Sequence, residues 1–295
     1  MFKRKKKKDL ASARPSGFAD IWFRFRKNKL ALAGLITVII IALFAIFADV
    51  LADYDAMAID QHPEIRLQGP SGEHILGTDG YGRDMFARIV HGSRYSLTFT
   101  LACTAISLIG GTLVGATAAY VGGAVDSVIM RVLDAFHCMP AMLLTISLSS
   151  ALGVGLKSII IALSISGIPG YARIVRSVML TISQQEYIEA AKACGFGSLR
   201  IIVGHMVPNA ISILIVNAMM SMAGLIMSAA SLSYIGMGIQ APAPEWGAML
   251  QEGQTYMREH FSMVLIPGLA IVITALSFNL LGDGLSEALD PRMKD

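Results

Sequence analysis

Ser183–Asn209, S-Q-Q-E-Y-I-E-A-A-K-A-C-G-F-G-S-L-R-I-I-V-G-H-M-V-P-N, is a long polar interruption between apolar runs, and its residue spacing points to recognition. Ser183 followed three residues later by Glu186 reads as a capping box, hydroxyl and carboxylate each satisfying an orphan backbone donor. Gly195 stands where a helix stops in the left-handed conformation that glycine takes without a Cβ penalty. Between them a helix of roughly three turns, about 16 Å long, is expected. Tyr187, Ala190, Ala191 and Cys194 share one of its faces, and Glu186, Glu189 and Lys192 share another. The first face is small, so a second backbone or a cleft wall can come close. That shape suits a plug for a socket on another protein.

Reactive constellations are missing elsewhere. No G-x-x-x-x-G-K-[ST] occurs, so no Walker loop cradles nucleotide phosphates. Gly153-Val154-Gly155-Leu156-Lys157-Ser158 resembles one at a glance but lacks the Gly-Lys pair. H-E-x-x-H and G-x-S-x-G are absent, and no carboxylate pair sits inside an apolar run to mark a proton or sodium relay. Cys103, Cys138 and Cys194 are scattered without metal or disulfide spacing and read as small apolar fillers. His137 and His205 are lone histidines without partners for a ligand or proton role. A catalytic residue, a resident metal and a bound cofactor are therefore not expected. Any energy must arrive from a partner.

The elements that position the polar stretch are membrane spans. The 295 residues are 54% hydrophobic and only 15% charged, where soluble chains run nearer a quarter charged. Mean hydropathy is +0.60. Residues 1–29 form a basic arm, opened by Lys3-Arg4-Lys5-Lys6-Lys7-Lys8 and closed by Arg24, Arg26, Lys27 and Lys29. Abutting an apolar run, it reads as a topology and lipid-headgroup signal rather than a nucleic-acid patch. Apolar runs at Leu30–Ala48, Tyr95–Val121, Ser127–Ser150, Lys157–Ile168, Ala210–Gly238 and Ser262–Gly282 make six spans, the third kinked at Pro140 and the fourth ending at Pro169-Gly170. Residues 30–295 are thus an all-α, polytopic membrane domain with a core at 95–284, an external loop at 49–94 and a cytoplasmic loop at 169–208. Lys and Arg concentrate in the arm and around residues 173–200, whereas Gln240–Phe261 carries Glu245, Glu252 and Glu259 against a single Arg258. The positive-inside rule then places both termini and the polar stretch in the cytoplasm.

Charges near span ends add detail. Arg131 and Asp134 are expected to pair at i, i+3 beside Asp126, as an interfacial ion pair or a brace for the polar stretch. Arg173 and Arg176 form a basic collar that contacts either the plug helix or its socket protein. Along the fifth span, Asn217, Ser221, Ser228 and Ser231 place small polar groups that line a pathway or allow close helix packing. Methionines there, Met222 among them, supply adaptable apolar surface.

Glu189-Ala190-Ala191, three residues, then Gly195 and a closing Pro208 resemble the EAA loop of importer-type ABC-transporter permeases. Leu76-Gly77-Thr78-Asp79-Gly80-Tyr81-Gly82-Arg83-Asp84 is similar to the L-G-T-D-x-x-G-R-D signature of dipeptide, oligopeptide and nickel permeases. Pro242–Leu250, Asn279–Leu285 and Leu289-Asp290-Pro291-Arg292 resemble the second, C-type, permease of that group, so the likeness runs the length of the chain. His205-Met206-Val207-Pro208 departs from the broad Ile-x-Leu-Pro pattern in the manner of the peptide subfamily. The resemblance implies a type I importer fold in a bacterial cytoplasmic membrane. It also implies a homologous permease partner, two cytoplasmic ATP-binding subunits that carry the nucleotide, and an external substrate-binding protein. Glu186, Glu189, Ala190, Ala191, Gly195, Arg173 and Arg176 would then serve ATPase coupling. Gly77, Asp79, Gly82, Arg83 and Asp84 would form a tight external turn, acting as a lid or contacting the binding protein. Dipeptides, longer peptides, glutathione and chelated nickel stay open as cargo. A secondary transporter would need intramembrane ionisable groups or an inverted repeat, and neither is visible.

Overall fold

A computed structural model describes residues 18–153 and 155–289 of the chain. The lysine-rich run at residues 3–8, Val154 and the Asp290-Pro291-Arg292 end lie outside the described residues. Uninterrupted apolar sequence gives long helices, because in a membrane only intrahelical bonds satisfy the backbone. Among the described residues the elements are α1 (Phe18–Phe25), α2 (Lys29–Ile46), α3 (Ala48–Leu51), α4 (Met85–Val121), α5 (Gly123–His137), α6 (Ala141–Leu152), α7 (Leu156–Ser183), α8 (Glu186–Ala193), α9 (Ser198–Ile201), α10 (Val207–Tyr234), α11 (Trp246–Gln254) and α12 (Ser262–Leu289), joined by short 3-10 and π turns. The β pairing among the described residues is one isolated bridge, Thr78 with Asp84.

Five helical segments are long and apolar enough to cross a membrane, and α5 with α6, bent by 86°, make a sixth when counted as one span. The bend falls at Pro140, which caps α6 and has no N–H to continue a helix. The fourth span does not end at Pro169-Gly170 as expected. Its helix carries the buried Pro169 in its interior and continues to Ser183. A proline inside a membrane helix is tolerated where neighbouring helices pack around it. The helix of the second span, α4, likewise starts at Met85, ten residues before the apolar run.

α7 is the most enclosed span, half of its apolar window buried, and α2 the least at 17%. α7 lies along α4, where Gly111 and Gly115 let the backbones meet. A Cβ on Gly115 would stand 2.3 Å from the Ala172 carbonyl oxygen. Small residues at such a crossing are the usual route to close helix approach in lipid. One apolar core, including Met85, Leu97, Met222, Ile226, Trp246 and Phe278, joins α4, α10, α11 and α12. A second, including Val175, Met179, Ile188, Ile201, Met206 and Leu214, underlies α8.

Candidate functional site

The polar stretch folds into a short helix displayed at one end of the bundle. Ser183 closes α7, its Oγ donating to the Leu180 carbonyl at 2.8 Å. The expected capping box is therefore not formed, because α7 runs on and uses that hydroxyl. Gln185 is the N-cap of α8 and offers no side-chain capping bond. The helix has 8 residues, about 12 Å of rise rather than 16. Its stop is a Schellman motif: Phe196 N–H donates to Ala191 O at 3.2 Å and Gly195 N–H to Lys192 O at 2.9 Å. Gly195 sits at φ +77°, and a Cβ there would meet nothing within 4 Å.

Ile188 and Ala191 point into the core, while Glu186, Tyr187, Glu189, Ala190 and Cys194 are exposed. The expected small face is thus split, Ala191 falling on its buried side. Ile188, fully buried and worth about 1.5–3 kcal/mol on burial, anchors the helix. The i, i+3 pair Ile188–Ala191 is the pattern that reveals it. Lys192 Nζ stands 5.3 Å from the Tyr120 ring centroid, tying α8 to the end of α4. His205 stacks on Phe196 at 5.8 Å, and Arg200 lies over the same ring at 4.4 Å.

Arg173 and Arg176 reach α5 rather than α8. Arg176 makes a two-pronged bond to Asp126, both arms 2.5 Å, and Arg173 bonds Asp134 at 2.7 Å. The expected Arg131–Asp134 pair gives way to these bonds between helices. They are possible only because α7 continues past Pro169 with both arginines on one face.

At the start of α4 stands a buried charged turn. Gly77 at φ +78° and Gly82 at φ +80° bound it, and a Cβ on Gly82 would lie 1.9 Å from the His62 carbonyl oxygen. Asp79 Oδ1 accepts from the Tyr81 and Arg83 amides, and its Oδ2 accepts from Arg83 Nε at 2.7 Å. Asp84 is the N-cap of α4, taking the Ala87 amide at 2.8 Å and His74 Nδ1 at 2.8 Å. Thr78 Oγ donates to the Ile65 carbonyl and accepts from the Gln68 amide.

One partner of this turn is invisible in the local sequence. Glu252 Oε2 on α11 accepts from Arg83 Nη2 at 2.6 Å and Arg88 Nη2 at 2.9 Å. Arg83 and Arg88 are 1% and 0% exposed. Glu245, from the same acidic stretch, is 5% exposed and caps α11 by accepting the Ala248 amide at 2.9 Å. Burial holds its carboxyl above the ordinary carboxylate range, against the opposing backbone bonds from Gly247 and Ala248.

The polar residues of the fifth span separate. Met222 is 2% exposed in the apolar core, and Asn217 Nδ2 donates to its own helix at Ile213 O. Ser228 instead lines a cavity of about 310 Å³ between α6, α7 and α10, and Ser221 lines an adjoining one of about 180 Å³. No cluster of His, Cys, Asp and Glu among the described residues suits a metal ion.

The family described as "Binding-protein-dependent transport system inner membrane component" matches residues 111–295, and the "N-terminal TM domain of oligopeptide transport permease C" matches residues 16–70. The chain is 41% identical over 279 residues to the dipeptide transport system permease protein DppC of Alkalihalophilus pseudofirmus, covering 95% of this chain and 91% of that one. It is 37% identical over 285 residues to the di/tripeptide transport system permease protein DppC of Pseudomonas aeruginosa, with 95% and 94% covered. Against the glutathione transport system permease protein GsiD of Escherichia coli the identity is 40% over 275 residues, with 93% and 90% covered. An inward-facing structure of the MetNI methionine ABC transporter superposes with a TM-score of 0.56 at 20% identity, over 70% of this chain and 98% of that one, a likeness of fold alone. Helical architecture, family match and full-length relatives agree: the chain belongs to the inner membrane components of binding-protein-dependent transport systems.

Proposed function

We propose that this chain is the non-catalytic C-type permease of an ATP-driven importer of di- and oligopeptides. The reading pairs it with a homologous permease, two cytoplasmic ATP-binding subunits and an external binding protein. One observation carries it: α8 is anchored from below by Ile188 and Ala191 and shows Tyr187, Glu189, Ala190 and Cys194 to the outside. A rigid peg seated in a partner's groove transmits that partner's closure to the bundle without chemistry of its own. Glu186, Glu189 and Ala190 would make the contact. Gly195 holds the peg's angle, and the Arg173 and Arg176 pairs keep α7 and α5 moving as one piece. Basic residues flanking the spans favour both termini on the cytoplasmic side.

Gly195→Val tests the reading. A β-branched residue at φ +77° is strained though it meets no neighbour. The variant is expected to insert at normal levels with dipeptide uptake abolished. Unchanged uptake overturns the coupling role. Glutathione, itself a peptide, is the second cargo, on the strength of the 40% identical GsiD relative. Uptake of labelled dialanine against labelled glutathione separates the two.

A further inference from the structure

We infer that the groove between α6, α7 and α10 is a peptide-backbone subsite running from one end of the bundle to mid-span, which holds its substrate through neutral hydroxyls and is blind to side-chain charge. This deepens the peptide reading above and rests on it.

The two cavities share Gly167 and Leu225 and so form one groove. Ser221, in the smaller cavity, lies 14 residues after Val207 and 13 before Tyr234, about 20 Å from either end of α10, and the larger cavity extends from Leu225 to Leu232 toward the Tyr234 end. No Asp, Glu, Lys, Arg or His lines either cavity. Four of the lining hydroxyls share an orientation. Thr145, Ser166, Ser221 and Ser231 each donate to a carbonyl of their own helix, at 2.7–2.9 Å. Their protons are thereby used, and lone pairs remain to face the groove. Thr145 and Ser166 hydroxyls also bond each other across α6 and α7 at 3.0 Å, one of the two sharing its proton there, and each keeps an acceptor lone pair.

A surface of acceptors suits a ligand that brings N–H groups, as a peptide's ammonium and amides do. Tyr171, 5% exposed, adds the complementary donor: it lines the smaller cavity, and its buried hydroxyl lies beside Ser221 without closing a hydrogen bond of good geometry. A buried hydroxyl left this way is costly unless a ligand or water meets it. At about 310 Å³ the larger cavity reaches the lower end of ordinary ligand sites, roughly 300–1,000 Å³. Without a fixed charge, the groove binds cationic, neutral and anionic peptides alike, leaving side-chain selection to other parts of the transporter.

The test uses the assembled transporter in cells, with the exposed Cys138 and Cys194 replaced by alanine and the buried Cys103 kept. Ser228→Cys is expected to react with a water-soluble methanethiosulfonate and to be shielded by saturating dialanine, while Met222→Cys stays inert. An inert Ser228→Cys, or labelling that dialanine does not slow, overturns the subsite. Ser228→Asp supplies the second arm. It should raise lysyl- over glutamyl-dipeptide uptake by about tenfold, equivalent to about 1.4 kcal/mol. An unchanged ratio overturns the claim that the groove is charge-free by design. If that variant does not assemble, the labelling arm decides alone. Absence of dipeptide uptake by the unmodified transporter defeats the peptide reading, and the subsite with it. Wild-type uptake without shielding defeats the subsite only.

Discussion

Glu252 Oε2 accepts from two buried guanidiniums at once, and with Asp79 it balances them two charges against two. Neutralising Glu252 leaves Arg83 and Arg88 with Asp79 alone, and an uncompensated buried charge costs about 3–5 kcal/mol. Glu252→Gln is expected to lower the thermal midpoint of the purified transporter and to open residues 60–84 to protease. Unchanged proteolysis would contradict the balance. Glu245 gives the opposite sign. Its folded pKa is raised by burial, so the folded protein binds more protons than the unfolded chain between the ordinary carboxylate value and the raised one. Stability therefore falls as pH rises through that window. Thermal unfolding followed by the emission of the adjacent, 2% exposed Trp246 should show that slope, and Glu245→Gln should flatten it. Neither residue's environment was legible in its neighbourhood. Glu252 and Glu245 stand in a stretch with an acidic excess, and only partners 164 and 169 residues away reveal Glu252 as partly buried and paired. The turn itself was legible, because Gly77, Gly82 and the paired Asp79 and Arg83 lie within seven residues.

Among the elements, the stop of α8 was readable and its start was not. A left-handed glycine leaves a local signature, and the turn at Gly195 lets its own amide and that of Phe196 close both bonds of the motif. The Ser183-x-x-Glu186 pattern is equally local, but whether the serine is spent on capping depends on where α7 ends. That ending is settled by packing against α4, which overrides the usual proline break at Pro169. The same override creates the α5–α7 ion pairs. For Gly195 a graded series isolates backbone strain from sterics, since a Cβ meets no atom within 4 Å. Gly195→Ala should cost about 1–2 kcal/mol of local strain and reduce uptake partially, between wild type and Gly195→Val. Equal loss in both would point to a contact at this position instead.

For the whole molecule, hydropathy gave the number of spans, while their ends depended on polar sequence held in helix by tertiary partners, as at Met85 and Ser183. Orientation is open to a direct check. Cys194 is exposed on the turn after α8, and Cys103 is buried. In a Cys138→Ala background, a membrane-impermeant maleimide should label Cys194 only after the inner membrane is permeabilised. Labelling in intact cells would invert the topology and end the coupling proposal. The ionic knot that joins residue 252 to residues 83 and 88 also sets an order of manufacture. A nascent chain that has delivered its first five spans' worth of sequence short of α11 holds two arginines against one aspartate. The amino-terminal half is therefore born electrically incomplete, and its maturation waits for the last quarter of the polypeptide to leave the ribosome.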